Sequence, residues 1–377
     1  MDSAEFKKIV LEGPGRARGR AHGEMLRGLI GEHLERWLTA LAADLRGDPR
    51  HYLRKFLFDT DFLPAIERWT PDLLEEVRGI AEASNQDFDL VLARQLSDEE
   101  PWYRREFKRS QPSHAGCTSL GACAQGERAT IVAQNMDMPD FCEGLQVLLH
   151  IKDPASDVEV LEFSLAGKIN LAGMNSAGLA MACNTLSQLD YSKTGLAEDF
   201  LVRGFLQRAS LDEGLEFLRA VEHASGQNYT LAAPNRAPLN VEASACSLTL
   251  YEPAAPQGCV YHTNHPLTNE DQGLFRRATQ GLAQSELERL YFGSSYTRFA
   301  ALERSFSLLQ RPPNIEEIKA ILSSHDGPIC RHGEDLVSRR DNFTVGCLIM
   351  ELGDAPLLHV APGPPCSTPF LTFGFDR

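Results

Sequence analysis

His114-Ala115-Gly116-Cys117-Thr118-Ser119-Leu120-Gly121-Ala122 sets a cysteine directly after a glycine, where a polar loop gives way to a strand-like run. Gly116 has no side chain, so the peptide ahead of Cys117 can bend and be approached closely. A cysteine so placed can attack its own preceding carbonyl. Hydrolysis of the resulting ester leaves Cys117 as a new amino terminus. A free α-amine titrates near ~7.7–8 in reference peptides, and burial lowers that value. The amine could then take the thiol proton, directly or through a water, so one residue would supply both nucleophile and base. On residue type alone, a buried structural cysteine is the commoner reading.

Downstream of this stretch the pattern is strand-rich. Candidate strands cover 117–123, 130–135, 145–151, 158–164, 169–174 and 178–183, divided by turn residues such as Gly126-Glu127 and Ser176-Ala177-Gly178. Helices are predicted at 197–209 and 211–223, with Ser210 and Glu213 at capping-box spacing for the second. Strands return at 229–233, 247–251 and 259–263, helices at 270–290, 294–309 and 314–323, and strands at 343–351, 357–361 and 369–373. Upstream, roughly the first 110 residues read mainly as helices. The stretch 24–46 carries Leu26, Leu29, Ile30, Leu34, Trp37 and Leu38; after Pro71, Leu73, Leu74, Val77, Ile80 and Ala81 share one face. Residues 101–116 are basic around Arg104-Arg105-Glu106-Phe107-Lys108-Arg109 and lack apolar periodicity, which predicts an exposed connection. Helices and strands in blocks suggest helical layers around sheets rather than βαβ alternation.

Composition narrows the function classes. The 377 residues are 43% hydrophobic and 24% charged, as in a globular chain. Thirty-seven Lys and Arg against 52 Asp and Glu give a net charge of −15, which argues against nucleic acid and anionic membrane surfaces as partners. The start, Met1-Asp2-Ser3-Ala4-Glu5-Phe6-Lys7-Lys8, lacks the apolar core of a secretory signal, and no run of about 18 apolar residues occurs. Nine cysteines without a CxxC pair read as reduced thiols in a cytoplasm. Phosphate-loop, dinucleotide and HExxH signatures do not occur, and no cofactor is expected.

Four further segments join Cys117. A strand at 131–138 ends in Asn135-Met136-Asp137-Met138; 173–184 runs from Gly173-Met174-Asn175 to Asn184; Tyr261-His262-Thr263-Asn264-His265-Pro266 and Ser294-Ser295-Tyr296-Thr297-Arg298-Phe299 follow. Singly, Asp137 suits a turn acceptor, Asn264 a turn start, Asn184 a strand-end cap and Arg298 a surface charge. Their joint order resembles the N-terminal nucleophile hydrolases, specifically the acyl-coenzyme A:6-aminopenicillanic acid acyltransferase family (peptidase family C45), with choloylglycine hydrolases more distant. Gly19-Arg20-Ala21-His22-Gly23, Glu76–Ala83, Ser324-His325-Asp326-Gly327-Pro328-Ile329-Cys330-Arg331-His332 and Ala361–Cys366 extend the resemblance over about residues 15–372.

The resemblance implies an α+β fold, the four-layer αββα sandwich. Residues 1–116 would be a helical pro-segment, kept as a small subunit after cleavage between Gly116 and Cys117, and 117–377 the catalytic part. It implies Cys117 as nucleophile, Asp137 holding its amine, Asn264 and Asn184 as oxyanion donors and Arg298 ordering the site. Gln134 stands where choloylglycine hydrolases have an Arg, so that role is not carried over. The implied chemistry is hydrolysis or transfer at the amide or thioester bond of a small N-acyl substrate, in a heterodimer of the chain's own fragments. Three alternatives are an acyl-CoA-dependent N-acyltransferase, a hydrolase whose base is His114, His262, His265, His325 or His332, and a binding protein that never matures. Zinc at His325, Cys330 and His332 is set aside, because only three ligands lie together and no CxxC accompanies them.

Overall fold

In the computed structural model, which describes residues 6–107, 116–126, 128–251, 258–287, 292–332 and 342–375, the strand alternation resolves into two sheets. His114 and the last residues of the basic stretch lie outside the described residues, as do Met1–Glu5 of the amino-terminal reading. On β4 (Gln146–Lys152), Val147, Leu149 and Ile151 enter one core and Leu148 another. On β3 (Thr130–Pro139), Val132 and Met136 share that second core, while Ile131 and Ala133 face a third. Successive strand residues point to opposite faces, so two stacked sheets buried on both faces require three apolar layers.

The first sheet runs β1 (Lys7–Glu12), β4, β5 (Glu159–Leu165), β6 (Ala172–Asn175), β7 (Ala180–Thr185), β8 (Gln227–Ala232), β9 (Leu239–Ala243) and β10 (Leu248–Tyr251). The second runs β11 (Cys259–His262), β2 (Gly116–Ala122), β3, β12 (Asn342–Leu352), β13 (Leu357–Ala361) and β14 (Leu371–Gly374). β1 lies parallel to β4 at the edge of the first sheet; the other pairings are antiparallel.

Helices close both outer faces. Against the first sheet pack α1 (Gly15–Met25), α2 (Arg27–Leu45), α3 (Pro49–Asp59), α4 (Phe62–Trp69), α5 (Pro71–Ser84), α6 (Phe88–Gln95), α8 (Glu198–Leu206) and α9 (Leu211–Ala220), with Ile30, Phe56, Ile80, Phe200 and Leu215 among the shared core. Against the second pack α12 (Ser295–Ser307) and α13 (Ile315–Leu322), through Leu302, Phe306, Ile318 and Leu322 onto Leu120, Ile131 and Ile349. These four layers, helices, sheet, sheet and helices, form the αββα sandwich that the resemblance implies. No helix among the described residues is long and apolar enough to cross a membrane.

Two sequence segments singled out above meet here. A Cβ on Gly19 of α1 would lie 1.9 Å from the Glu76 carbonyl of α5, so the two backbones touch where only glycine fits. The fully buried Arg18 then reaches Glu76 at 2.9 Å and Asp153 at 3.0 Å, and Glu76 connects through Arg203 to Glu162 on β5. A buried charge is tolerated only when paired, so this chain of ions fixes how the helical layer docks on the sheet.

Three expectations change. The basic stretch is helical through α7 (Glu100–Phe107): Trp102 and Tyr103 are buried, and Arg104 pairs with Asp44 and Glu100. The predicted helix 270–290 is broken into α10 (Gly273–Ala278) and α11 (Gln284–Leu287), with Gly281 at positive φ between them. The strand expected at 169–174 starts only at Ala172. At α9 the anticipated cap forms: Ser210 Oγ accepts from the Glu213 N–H at 3.3 Å, and Glu213 returns a bond to the Ala209 N–H rather than to that of Ser210.

Candidate active site

β2 starts at Gly116 and pairs residue by residue with β3, placing Gly116 opposite Asp137 and Cys117 opposite Met136. Alternation turns Cys117 and Ser119 toward the space between the sheets, and Thr118 and Leu120 toward the helices beyond the second sheet.

With the Gly116–Cys117 peptide intact, Cys117 is held on both sides. Its N–H donates to Asn264 Oδ1 at 2.9 Å, and its carbonyl accepts from Arg298 Nη1 at 2.5 Å. The same guanidinium donates to Thr118 Oγ1 at 3.0 Å and to Asn264 Oδ1 at 2.7 Å. Arg298 is buried, and α12 and the Asn264 turn are tied together: Ser294 Oγ accepts from Arg298 Nε at 3.0 Å, and Ser295 Oγ accepts from the Asn264 N–H at 2.8 Å. Burial lowers the Arg298 pKa to about 10, which leaves it cationic at neutral pH. Asn264 Nδ2 donates to the Thr185 carbonyl at 3.1 Å, so this side chain is committed at both ends.

Asp137 is fully buried. Its Oδ1 accepts from Thr344 Oγ1 at 2.7 Å, while Oδ2 has no hydrogen-bond partner among the described residues and lies 3.9 Å from Arg331 Nη1. That free oxygen would stand 2.8 Å from a Cβ placed on Gly116, so it lies directly against the junction. Burial raises the Asp137 carboxyl to about 6, opposed by Arg331, Arg298 and Thr344. A register shift between Thr344 and Gly346 bulges β12 opposite Asp137; beside it, Thr344 Oγ1 also accepts from the Arg331 N–H at 2.9 Å.

Asn184, on β7, faces β2 across the gap. Its Oδ1 accepts from Ser119 Oγ at 2.6 Å and Asn228 Nδ2 at 3.0 Å, and its Nδ2 is a buried donor without a partner among the described residues. Ser119 also contacts Thr230 Oγ1 at 2.7 Å, which in turn donates to Asn240 Oδ1 at 2.7 Å. Gln134 spans the sheets from β3 and bonds both the carbonyl and the N–H of Cys183, the residue before Asn184. Removal from water pushes the Cys117 thiol up to about 12; Asp137 and Asp98 add to the rise, while Arg298 and a bond from the Asp137 backbone oppose it. In the uncleaved chain the thiol is therefore protonated at neutral pH.

The five expected residues thus gather around the start of β2, with Cys117 and Asn184 facing the inter-sheet gap, Asp137 and Arg298 on the outer side of the second sheet, and Asn264 bonded to Cys117, Arg298 and Thr185. Sequence reading named Gln134 without giving it a role, and it missed Ser119, Asn228, Thr230 and Thr344, whose signal was polar residues within otherwise apolar strands. Of the competing histidines, His114 lies outside the described residues, and the other four have partners elsewhere. His262 bonds Glu242 at 2.7 Å and the Thr263 carbonyl at 2.8 Å, and His265 bonds Ser295 Oγ at 2.8 Å. His325 and His332 face one another at 3.2 Å. No hydrogen bond among the described residues joins a histidine to Cys117.

The chain matches the family model described as acyl-coenzyme A:6-aminopenicillanic acid acyl-transferase over residues 123–347, starting six residues beyond Cys117. Among solved structures it is similar to a Caenorhabditis elegans ortholog of N-acylethanolamine-hydrolyzing acid amidase, at 14% identity over 69% of this chain and 100% of that one, with a TM-score of 0.42. A variant of the conjugated bile acid hydrolase from Clostridium perfringens matches at 12% identity over 69% and 97%, with a TM-score of 0.46. Penicillin V acylase from Agrobacterium tumefaciens matches at 14% identity over 69% and 86%, with a TM-score of 0.41. A search of curated proteins finds no match.

Proposed function

The chain belongs to the acyl-coenzyme A:6-aminopenicillanic acid acyltransferase family, and from that membership we propose that it is a self-cleaving amidohydrolase whose nucleophile is Cys117. The thiol attacks the Gly116 carbonyl, the C–N bond shifts to a thioester, and the Cys117 nitrogen leaves as an amine. Water then releases residues 1–116, which stay bound as a small subunit to 117–377.

The observation that carries this reading is Asp137 Oδ2, buried against Gly116 without a hydrogen-bond donor among the described residues, the Arg331 guanidinium standing off at 3.9 Å. An unpaired buried carboxylate oxygen is costly, and a liberated Cys117 amine beside it would supply the missing donor. That amine takes the thiol proton, and its charge pulls the thiol down from the high value it has in the intact chain. The thiolate adds to the carbonyl of an N-acyl substrate. The Asn184 Nδ2 is the open donor for the resulting oxyanion, and Asn264 anchors the Cys117 nitrogen and, with Arg298, the strand that carries it. The amine returns its proton to the leaving group, and water hydrolyses the acyl thioester.

The substrate class is a small N-acyl amide, with water as acceptor. Asp98, half-buried and near enough to raise the Cys117 thiol, suits a cationic amine portion. Nine free cysteines support a reducing, cytoplasmic location. The test is the mass of the purified chain and its turnover of a panel of small N-acyl amides. Two fragments, 1–116 and 117–377, with activity only in the cleaved form are expected. A catalytically competent species that remains at 41.7 kDa would overturn the reading.

A further inference from the structure

Three separate stretches converge beside Arg331, which sits between Cys330 and His332. His325 follows α13, Cys330 and His332 lead into β12, and Cys366 sits in the turn after β13. The sequence places three of these together; the β12–β13 hairpin returns the chain and brings the fourth. One ligand atom from each residue falls in a cluster in which all four lie within 4.8 Å of one another. His325 Nε2 is 3.2 Å from His332 Nε2, Cys330 Sγ is 3.9 Å from it, and Cys366 Sγ is 2.9 Å from it.

Hydrogen bonding does not account for this. A neutral imidazole nitrogen has one proton or one lone pair to offer, yet His332 Nε2 faces three partners. Four donors around a shared centre do account for it. Two nitrogens at about 2.0–2.1 Å from a tetrahedral zinc stand about 3.3 Å apart, and a nitrogen and a sulfur at about 2.3 Å stand about 3.6 Å apart. The N–N separation seen, 3.2 Å, lies close to the first value, and the two N–S separations, 2.9 and 3.9 Å, fall on either side of the second. Two thiols with two imidazoles also form the soft, four-protein-ligand set of structural zinc.

We propose that His325, Cys330, His332 and Cys366 bind one zinc ion through two imidazole nitrogens and two thiolates. As the two Zn–S bonds form, the two thiol protons pass to solvent, and affinity therefore rises with pH. The ion ties the end of α13, the lead-in to β12 and the turn after β13 into one unit. It fixes the backbone on both sides of Arg331, whose guanidinium lies 3.9 Å from Asp137.

The full chain, expressed with zinc in the medium and desalted anaerobically, is expected to carry about one zinc per molecule, as is the uncleavable Cys117→Ala chain. Cys366→Ser and His325→Ala, both at exposed positions, should each weaken zinc binding tenfold or more, while Cys246→Ser retains it. Cobalt substituted for zinc should give a thiolate charge-transfer band that Cys366→Ser diminishes, and added zinc should raise the melting temperature of the wild type but not of His325→Ala. Zinc-free folded protein, equal zinc in wild type and both ligand variants (an adventitious ion only), or a Cys330–Cys366 disulfide in the anaerobic preparation overturns the proposal.

Discussion

The gap between the two sheets has two unlike ends. Where β3, β12 and β13 face β4, β5 and β6, it is filled by Val132, Leu148, Leu161, Phe163, Met174, Leu348 and Met350. Where β2 faces β7, β8 and β9, it holds Cys117, Ser119, Asn184, Asn228, Thr230 and Asn240. Both ends are buried, but they are held by different forces. The apolar end depends on area and close packing, which tolerate exchanges of similar volume. The polar end depends on directional bonds in which each atom has an assigned partner, so a partner that goes missing leaves a costly orphan. Asn184 Nδ2 and Asn228 Oδ1, on the first sheet at this end, and Asp137 Oδ2, on the outer face of the second sheet, have no partner among the described residues and are where such a lattice can accept new chemistry.

The comparison can be broken most severely at Cys117. Cys117→Ala should abolish both chain cleavage and turnover; a two-fragment product on a denaturing gel would refute the role. Phe163→Ala, at the apolar end, should cost about 3–5 kcal/mol of stability in denaturant unfolding while the folded fraction keeps its turnover number within about twofold. Asn184→Ala, at the polar end, should add a 10²–10³-fold loss in turnover, about 2.7–4 kcal/mol, the scale of one oxyanion donor, to the stability lost by orphaning Ser119 Oγ and Asn228 Nδ2. A kcat close to wild type would remove Asn184 from the mechanism.

A smaller effect tests Asp137 by pH. Its carboxyl is raised to about 6 from an ordinary value of 3.8. A raised carboxyl favours the folded state while protonated, and that contribution is lost as pH climbs from about 4 through about 6. In the Cys117→Ala background, Asp137→Asn should therefore stabilise the intact chain by about 1–3 kcal/mol at pH 8 and by little at pH 4. A pH-independent difference would mean that the carboxylate is already compensated in the uncleaved chain. The smallest expected change is Ser119→Ala, about 1–2 kcal/mol of stability, from the Asn184 Oδ1 and Thr230 bonds it breaks.

The apolar end was the legible one. Unbroken apolar runs such as Val147-Leu148-Leu149 announced strands buried on both faces, and the 314–323 helix announced itself through its apolar face and formed a capping box from Asn314 and Glu317. What escaped reading was what depends on partners distant in sequence. β1 is six residues long with lysines at its start, and it becomes a strand by pairing with β4 some 140 positions later, as 147 − 7 gives. β9 has a similar history, resting on β8 and β10. Residues 101–107 lacked an apolar stripe because the adjacent Trp102 and Tyr103 carry the described apolar burial of that helix, while its arginines are spent on Asp44, Glu100 and the Ser187 carbonyl. At the site, residue types and order located the five side chains. Nothing in one dimension revealed that Asn264 would spend its oxygen on Cys117 and Arg298, or that Cys366 would arrive beside His332.

β1 also sets a limit on how the protein would come apart once cut as proposed. A break ahead of Cys117 puts that strand and its ladder partner on different polypeptides, so a single folded body becomes a non-covalent pair whose members share one sheet. Refolding after full denaturation would then be a second-order encounter, slowing on dilution, whereas the uncut chain returns at a rate blind to its own concentration.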